Sequence, residues 1–130
     1  MSAPLELLSL NHLSFEVKRL EASVTFYRDI LGFTEMPRPD LGFAGAWIRN
    51  GAACIHLIEK PSLPEPGPTI DPRGNHTAFE VKSAAEVKAR LDAASIPYRA
   101  NELRGTPITQ VFFRDPDGYQ IEVADYSVGK

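Results

Sequence analysis

The sequence predicts an α+β fold made of two βαβββ modules, each a four-stranded sheet with one helix on one face. The first observation is an internal repeat: segment 11–17 reads Asn-His-Leu-Ser-Phe-Glu-Val, and segment 75–81 reads Asn-His-Thr-Ala-Phe-Glu-Val. The second is that a strand pattern, a helix pattern and three short strand patterns follow in the same order in each half. The third is a proline-rich stretch at 60–73 between the halves. Together they predict two copies of one structural unit.

Both copies of the repeat alternate apolar and polar residues, which is the period of a half-buried strand. Phe15 and Val17 fall on one side of the first strand, and His12 falls on the other. Phe79 and His76 divide between the two sides of the second strand in the same way. Each module therefore opens with a strand that has an apolar face and a face carrying a histidine.

A helix pattern follows each of these strands. In the first half apolar residues recur at helical spacing over 20–31, and Gly32 is a stop signal. In the second half Ser83 and Glu86 form a capping-box pattern, and Pro97 ends the helix. We expect each helix to cover the apolar face of its own sheet, which leaves the other face open.

Three short strands complete each module. We predict them near 33–37, 43–49 and 53–59, and again near 98–103, 108–114 and 119–125. Turns are predicted at Asn50-Gly51 and Asp115-Pro-Asp-Gly118. The stretch 60–73 holds five prolines in fourteen residues, so we expect a stiff linker. The predicted organisation is one domain over 1–130, with module one at about 8–59 and module two at about 74–126.

Composition restricts the partners of the chain. A net charge of −3 over 130 residues argues against nucleic acid, because phosphate binding needs a basic face. No apolar run approaches the roughly 20 residues that cross a membrane, and the first residues do not resemble a signal peptide. Cys54 is the only cysteine, so no internal disulfide can form. These features predict a cytoplasmic protein in which Cys54 is a small buried thiol.

All three histidines of the chain follow one scheme. His12 and His76 occupy equivalent places on the first strands. His56 lies on the last strand of module one, and Glu122 is the matching residue of module two. The separations agree, since 12 to 56 is 44 residues and 76 to 122 is 46. Alternation places both last-strand residues on the open face of the sheet.

If the modules face each other across a pseudo-twofold axis, these four side chains converge. Three imidazoles and one carboxylate suit a divalent metal such as Zn, Ni, Co, Mn or Fe. A single strand histidine is normally a hydrogen-bonded structural residue. The complete set, with Glu122 inside an apolar strand, favours a metal site instead. For His56 two interpretations stay open: it ligates the metal, or it lines the site.

Four stretches carry a resemblance to a known family: the two repeats, Phe26-Tyr-Arg-Asp-Ile-Leu-Gly-Phe33, and Phe113-Arg-Asp-Pro-Asp-Gly-Tyr-Gln-Ile-Glu-Val123. Over about residues 8–126 the chain resembles the vicinal oxygen chelate superfamily. This superfamily contains glyoxalase I, fosfomycin-resistance thiol transferases, extradiol dioxygenases and bleomycin-resistance proteins. The resemblance implies curled mixed sheets around a metal (the glyoxalase/dihydroxybiphenyl dioxygenase-like fold), a homodimer, and metal ligands at His12, His56, His76 and Glu122.

The activity that the resemblance favours is that of a glyoxalase I-like lyase or isomerase. Its expected substrate is a small oxygen-chelating molecule such as a glutathione-type thiol adduct. Glu122 and His56 are the expected catalytic bases. Arg38, Trp47 and Phe112 are the candidates for substrate contact, because Arg38 supplies a positive charge and the aromatic residues flank the site strands. Glyoxalase I usually has a glutamate where this chain has His56.

Three alternatives remain. A fosfomycin-type thiol transferase fits the histidines, Glu122 and Trp47, but segment 102–107 lacks the Ser- and Glu-rich cation loop of those enzymes. A single-domain extradiol dioxygenase fits the two-histidine, one-carboxylate set but is usually longer. A non-catalytic bleomycin-resistance-like binding protein, or a domain with a vestigial site, belongs to another class. Such proteins generally lack the metal ligands that this chain retains.

Overall fold

The computed structural model describes residues 3–128, and the chain divides into two compact units, Met1–Leu63 and Pro64–Lys130. Unit 1 contains β1 Leu13–Val17, α1 Leu20–Asp29, β2 Thr34–Met36, β3 Gly45–Asn50 and β4 Ala53–Glu59. Unit 2 contains β5 His76–Glu80, α2 Ala84–Ala93, β6 Arg99–Glu102, β7 Thr109–Arg114 and β8 Gln120–Ala124. The α+β class and the repeated βαβββ order are confirmed. Within residues 3–128, neither helix has the length and apolar character needed to span a membrane.

Each unit forms one four-stranded sheet with the same topology. The strand order is β1-β4-β3-β2 in unit 1 and β5-β8-β7-β6 in unit 2. The first and last strands of each unit pair in parallel, and the other pairs are antiparallel. The last strand therefore lies in the interior of the sheet beside the first strand. That the two units form a single domain stays a prediction.

The strand registers of the two sheets match residue for residue. In unit 1, His56 lies between Ser14 of β1 and Trp47 of β3. In unit 2, Glu122 lies between Ala78 of β5 and Phe112 of β7. The equivalence of positions 56 and 122, which was inferred from the repeat, is therefore present in the hydrogen-bonded ladders. It extends to positions 47 and 112.

Burial alternates along β4 as the sequence predicts, but in β8 both faces are buried, including Glu122 on the face predicted to be open. Ile55 and Leu57, the neighbours of His56, are fully buried. Ile121 and Val123 are buried in the same way. Apolar side chains on these strands stabilise each unit by roughly 1.5–3 kcal/mol apiece relative to the exposed state.

The two helices begin and end by different means. At α2 the Ser83 hydroxyl accepts a hydrogen bond from the Glu86 amide at 3.2 Å, as the capping-box pattern predicts. At α1 the first amide, that of Leu20, donates instead to Glu59 Oε2 at 3.0 Å. Helix α1 ends at Asp29, two residues before the predicted Leu31. Its buried residues are Ser23 and Tyr27, and those of α2 are Ala84 and Leu91.

The turn before β8 is held by a buried carboxylate. Asp115 is 4% exposed, and its Oδ1 accepts from the amides of Asp117 (2.9 Å) and Tyr119 (3.0 Å). Gly118 has φ +87°, and a Cβ there would collide with Arg114 and Pro66. This turn sets the residue from which β8 starts, Gln120, and hence the position of Glu122 two residues later.

Candidate metal centre

Unit 2 brings His76 and Glu122 together. His76 is the first residue of β5 and pairs with Gln120, while Glu122 lies two residues further along β8, opposite Ala78, and so on the same face as His76. His76 Nε2 lies 3.3 Å from Glu122 Oε1, with the two side chains 28% and 4% exposed. Their proximity depends on His76, the histidine of the second repeat, being the first residue of β5.

The orientation of His76 is fixed by a second hydrogen bond. Its Nδ1 lies 2.7 Å from the Gly74 carbonyl oxygen. A carbonyl can only accept, so Nδ1 carries the proton and Nε2 is turned toward Glu122. In a neutral ring Nε2 is also an acceptor, and two acceptors then face each other across 3.3 Å. Such a pair is stabilised by a proton or by a metal cation between the two atoms.

Glu122 is held on its other side by Tyr126. The Tyr126 hydroxyl donates to Glu122 Oε2, and Gln110 Nε2 donates to the Tyr126 oxygen at 3.1 Å. Burial raises the pKa of Tyr126, and the bond to the carboxylate raises it further, so the hydroxyl stays a donor. Tyr126 and Gln110 were not among the predicted site residues. Tyr126 lies beyond the end of β8, where strand alternation gives no indication of side-chain direction.

Phe112 forms an apolar wall beside this pair. It is 2% exposed, and its ring meets the His76 ring edge-on at a centroid distance of 5.5 Å. Its partner across the ladder is Glu122. Phe112 thus restricts water around the histidine and the carboxylate, which strengthens electrostatic interactions there.

Unit 1 brings its two histidines together in a stack of aromatic rings. The rings of His12 and His56 are 3.7 Å apart and 14° from parallel, and the Trp47 ring lies 4.5 Å from His56 at 10°. His56 is the middle ring. His12 immediately precedes β1, and its Nδ1 is 2.7 Å from Asn11 Oδ1. That bond leaves Nε2 of His12 available as a ligand atom.

The charge state of His56 follows from its surroundings. Burial lowers its pKa below the usual 6.5, and the neighbouring His12 and Arg38 lower it further. His56 is therefore mainly neutral at pH 7, with one ring nitrogen bearing a lone pair. Arg38 donates to the Phe43 carbonyl at 3.1 Å, and its guanidinium lies 4.9 Å from the centre of the Phe43 ring.

Each unit by itself supplies two of the four predicted ligands. Among residues 3–128, no three His, Cys, Asp or Glu side chains form a cluster suited to a metal ion. The convergence of all four stays a prediction. The donor types fit a divalent metal, because each unit presents an imidazole nitrogen beside a second nitrogen or a carboxylate oxygen.

The other predicted residues divide between the units as well. Arg38 and Trp47 lie near His56, and Phe112 contacts His76. Cys54 lies on β4 two residues before His56 and is partly buried, less than predicted.

Comparison with known proteins identifies the family. A family profile described as "Glyoxalase/Bleomycin resistance protein/Dioxygenase superfamily" matches residues 9–123. The chain belongs to this superfamily. The predicted resemblance is confirmed, because the matched segment includes both repeats and both last strands.

Relatives within the superfamily carry different names. The chain is 40% identical over 128 residues to Glyoxylase I 4 of Arabidopsis thaliana, covering 94% of this chain and 73% of the relative. It is 31% identical over 121 residues to Glutathione transferase FosA of Serratia marcescens, covering 88% and 79%. A glyoxalase/dioxygenase structure from Nostoc punctiforme has a TM-score of 0.76 at 24% identity, covering 95% and 94%. The structural likeness shows the shared fold.

Proposed function

We propose that this protein is a divalent-metal-dependent enzyme of the glyoxalase type, a lyase or isomerase that moves a proton between neighbouring carbons of an oxygen-chelating substrate. The observation that carries the proposal is the buried Glu122 carboxylate, held by Tyr126 and facing the Nε2 atom of His76. Isolating a carboxylate from water in this way is costly unless it serves a cation or a proton transfer. The 40% identity to Glyoxylase I 4 supports the same class of reaction.

The proposed metal ligands are His12, His76 and Glu122, with His56 at the fourth position. Their convergence is part of the proposal. A divalent metal bound there would polarise two neighbouring oxygens of the substrate and so acidify the adjacent C–H bond. The choice among Zn, Ni, Co, Mn and Fe is left to metal analysis.

The side chains of this chain would then handle the proton. A base would take the proton from one carbon of the substrate and return it to the next carbon; it is the Glu122 carboxylate, or the neutral His56 imidazole if His56 lines the site without ligating the metal. No atom is gained or lost in such an isomerisation. Tyr126 keeps one oxygen of Glu122 bound, so the other oxygen is the reactive one.

The walls of the site would select the substrate. Trp47 and Phe112 offer apolar ring surface next to His56 and His76, and they limit the entry of water. The guanidinium of Arg38 would hold a carboxylate of a glutathione-type thiol adduct. We place the enzyme in the cytoplasm as a homodimer; the single cysteine and the lack of any disulfide fit a reducing compartment.

A second candidate is a fosfomycin-type thiol transferase. It is favoured by the 31% identity to Glutathione transferase FosA. The same metal ligands would serve, and the thiol would be the attacking group. The segment after β6, Leu103-Arg-Gly-Thr-Pro107, departs from the Ser- and Glu-rich cation loop that this reaction uses in the family.

Metal analysis and two activity assays test the proposal. The purified protein should bind about one divalent ion per proposed site and isomerise the hemithioacetal of methylglyoxal and glutathione. His12→Ala and His76→Ala should each lower metal affinity by a factor of about 100 or more. Glu102→Gln, an exposed carboxylate on β6, is the matched control and should bind metal normally.

Two results would overturn this proposal. One is full metal occupancy in His76→Ala, which would show that His76 is not a metal ligand and that the proposed site is wrong. The other is turnover of fosfomycin and thiol without turnover of hemithioacetal, which would establish the second candidate in its place.

A further inference from the structure

The side chain of Gln120 ties a loop of unit 2 to the start of β8. Its Oε1 accepts a hydrogen bond from the amide of Asp71 at 2.6 Å, and its Nε2 donates to the carbonyl of Asn75 at 3.2 Å. We define residues 71–75, Asp-Pro-Arg-Gly-Asn, as the β5 entry loop, because they lead directly into β5. The amide of Gly74 closes the loop by donating to the carbonyl of Asp71 at 2.9 Å. One side-chain amide therefore holds both ends of the β5 entry loop.

The β5 entry loop supplies the acceptor that orients His76. The Gly74 carbonyl oxygen lies 2.7 Å from His76 Nδ1. Gly74 also packs against Gln120, since a Cβ at this position would lie 2.7 Å from Gln120 Nε2 and 3.2 Å from the Asp71 carbonyl oxygen. These contacts restrict movement of the Gly74 carbonyl away from the ring. Gln120 thus acts on His76 through the backbone of Gly74.

Unit 1 orients the histidine of its own repeat by a different contact. His12 Nδ1 lies 2.7 Å from the side-chain oxygen of Asn11, its neighbour in the chain. The counterpart of Gln120 in unit 1 is Cys54, because each lies two residues before the matching ladder residue of its last strand. A thiol is a weak donor and a weak acceptor, so Cys54 cannot bridge an amide and a carbonyl as Gln120 does. The Asn-His pair that both repeats share is therefore held by different groups in the two units.

We propose that Gln120 is a positioning residue that keeps the proton of the neutral His76 ring on Nδ1 and leaves Nε2 free for a metal. The alternative tautomer carries its proton on Nε2, which would then donate to Glu122 Oε1 across the 3.3 Å between the two atoms. That tautomer blocks the ligand atom of His76. The Gly74 carbonyl, held by Gln120, stabilises the Nδ1–H tautomer and shifts the population away from the blocked one. This role rests on the proposed function, in which His76 is a metal ligand.

Long-range proton–nitrogen correlation spectra of the metal-free protein test this role, because they show which nitrogen of each neutral imidazole carries the proton. The spectra are recorded at a pH high enough to deprotonate every imidazolium. His76 of the parent protein should be the Nδ1–H tautomer. Gln120→Met has a side chain of similar length without the two hydrogen bonds, and it should shift the His76 signals toward the Nε2–H form. His12 is the internal control: Asn11 holds its ring, so its signals should not change.

Two further variants separate positioning from general damage to the loop. Gly74→Ala displaces the Gln120 amide and should produce the same tautomer shift, with no added effect in the double variant. Arg73→Gln is the matched control in the β5 entry loop, because Arg73 is exposed and bonds within the loop through its amide. It should leave the tautomer unchanged. Titration with Co²⁺ should show an affinity about tenfold lower in Gln120→Met and parental affinity in Arg73→Gln.

An unchanged His76 tautomer in either Gln120→Met or Gly74→Ala overturns the proposal. A tautomer shift with parental Co²⁺ affinity also overturns it, because Gln120 would then not serve the metal centre. If Gln120→Met does not fold by far-UV circular dichroism, Gln120→Glu takes its place, since it keeps an acceptor for the Asp71 amide and loses the donor to Asn75. A parent protein that binds no Co²⁺ overturns the proposed function instead. The spectra of the metal-free protein distinguish that failure from a failure of Gln120 to orient His76.

Discussion

The two units have the same scaffold and register, but they surround equivalent positions with different chemistry. In unit 1 position 56 is a neutral imidazole between two parallel rings, those of His12 and Trp47. In unit 2 position 122 is a buried carboxylate that faces His76 and accepts a hydrogen bond from Tyr126. The repeated backbone structure places the side chains of residues 56 and 122 at equivalent positions in the two sheets. What each side chain then does depends on the few residues that differ around it.

The difference follows from the cost of burying a charge. A carboxylate that is 3% exposed needs hydrogen-bond donors, and Tyr126 with Gln110 behind it supplies them. A neutral imidazole carries no net charge, so its partial burial costs less. Four residues after His56, where Tyr126 would have its counterpart, the chain has Lys60, which pairs with Glu16 at 3.4 Å on the surface. Unit 1 is thus built for a neutral group and unit 2 for an anion.

Removing the hydroxyl of Tyr126 would make the surroundings of position 122 more like those of position 56. Tyr126→Phe keeps the ring but leaves one oxygen of Glu122 without its donor, so we expect metal affinity to fall about 10- to 100-fold. Competition with a chromophoric chelator measures the affinity. Tyr98→Phe is the matched control, because Tyr98 donates to Asp92 on the exposed surface. Equal affinities in the two variants would show that Tyr126 has no part in positioning the carboxylate.

Placing a carboxylate at position 56 makes the two units chemically alike. His56→Glu should raise hemithioacetal turnover about tenfold if the chain is a glyoxalase that has exchanged one base. Turnover is followed by thioester absorbance at saturating metal. His56→Gln, of similar size but without a base, should show no gain. A loss of activity in both variants would count against the glyoxalase hypothesis and for an independent role of the ring stack.

The turns before the last strands offer a smaller contrast. Gly51 and Gly118 both have positive φ, +57° and +87°, but a Cβ at Gly51 meets nothing within 4 Å, whereas one at Gly118 collides with Arg114 and Pro66. We expect Gly51→Ala to lower the free energy of unfolding by about 1 kcal/mol. Gly118→Ala should lower it by about 1 kcal/mol more, because the neighbours must shift. Urea unfolding measures both, and equal losses would contradict the collision.

Most of the fold could be predicted from the sequence, because apolar periodicity is a local signal and the same pattern occurs in both halves of the chain. The eight strands lie within about two residues of their predicted bounds, and the Ser83 cap forms as its pattern predicts, but α2 ends at Ala93, four residues before the Pro97 stop signal. Alternation also identified Ile55, Leu57, Ile121 and Val123 as core residues. The end of α1 was harder to predict, since Ile30 and Leu31 fit the apolar stripe while the chain already turns toward Gly32.

The candidate site could be predicted less completely. Register places His56 beside Trp47 and Glu122 beside Phe112, and both neighbours were predicted as site residues. The ring stack and the Tyr126 hydrogen bond depend on rotamers and on backbone outside the strands, which periodicity does not determine.

The parallel pairing of first and last strands has a consequence for how these units fold. His76 and Glu122 are 46 residues apart in the chain. The parallel pairing of β5 with β8 can form only after a loop of that length has closed. Pairing between strands so far apart in sequence is slow relative to helix or hairpin formation. A unit in which only the helix and the hairpin had formed would have no ligand pair. Metal would be captured at the final stage of folding, and native-state hydrogen exchange along β5 and β8 should slow when it binds.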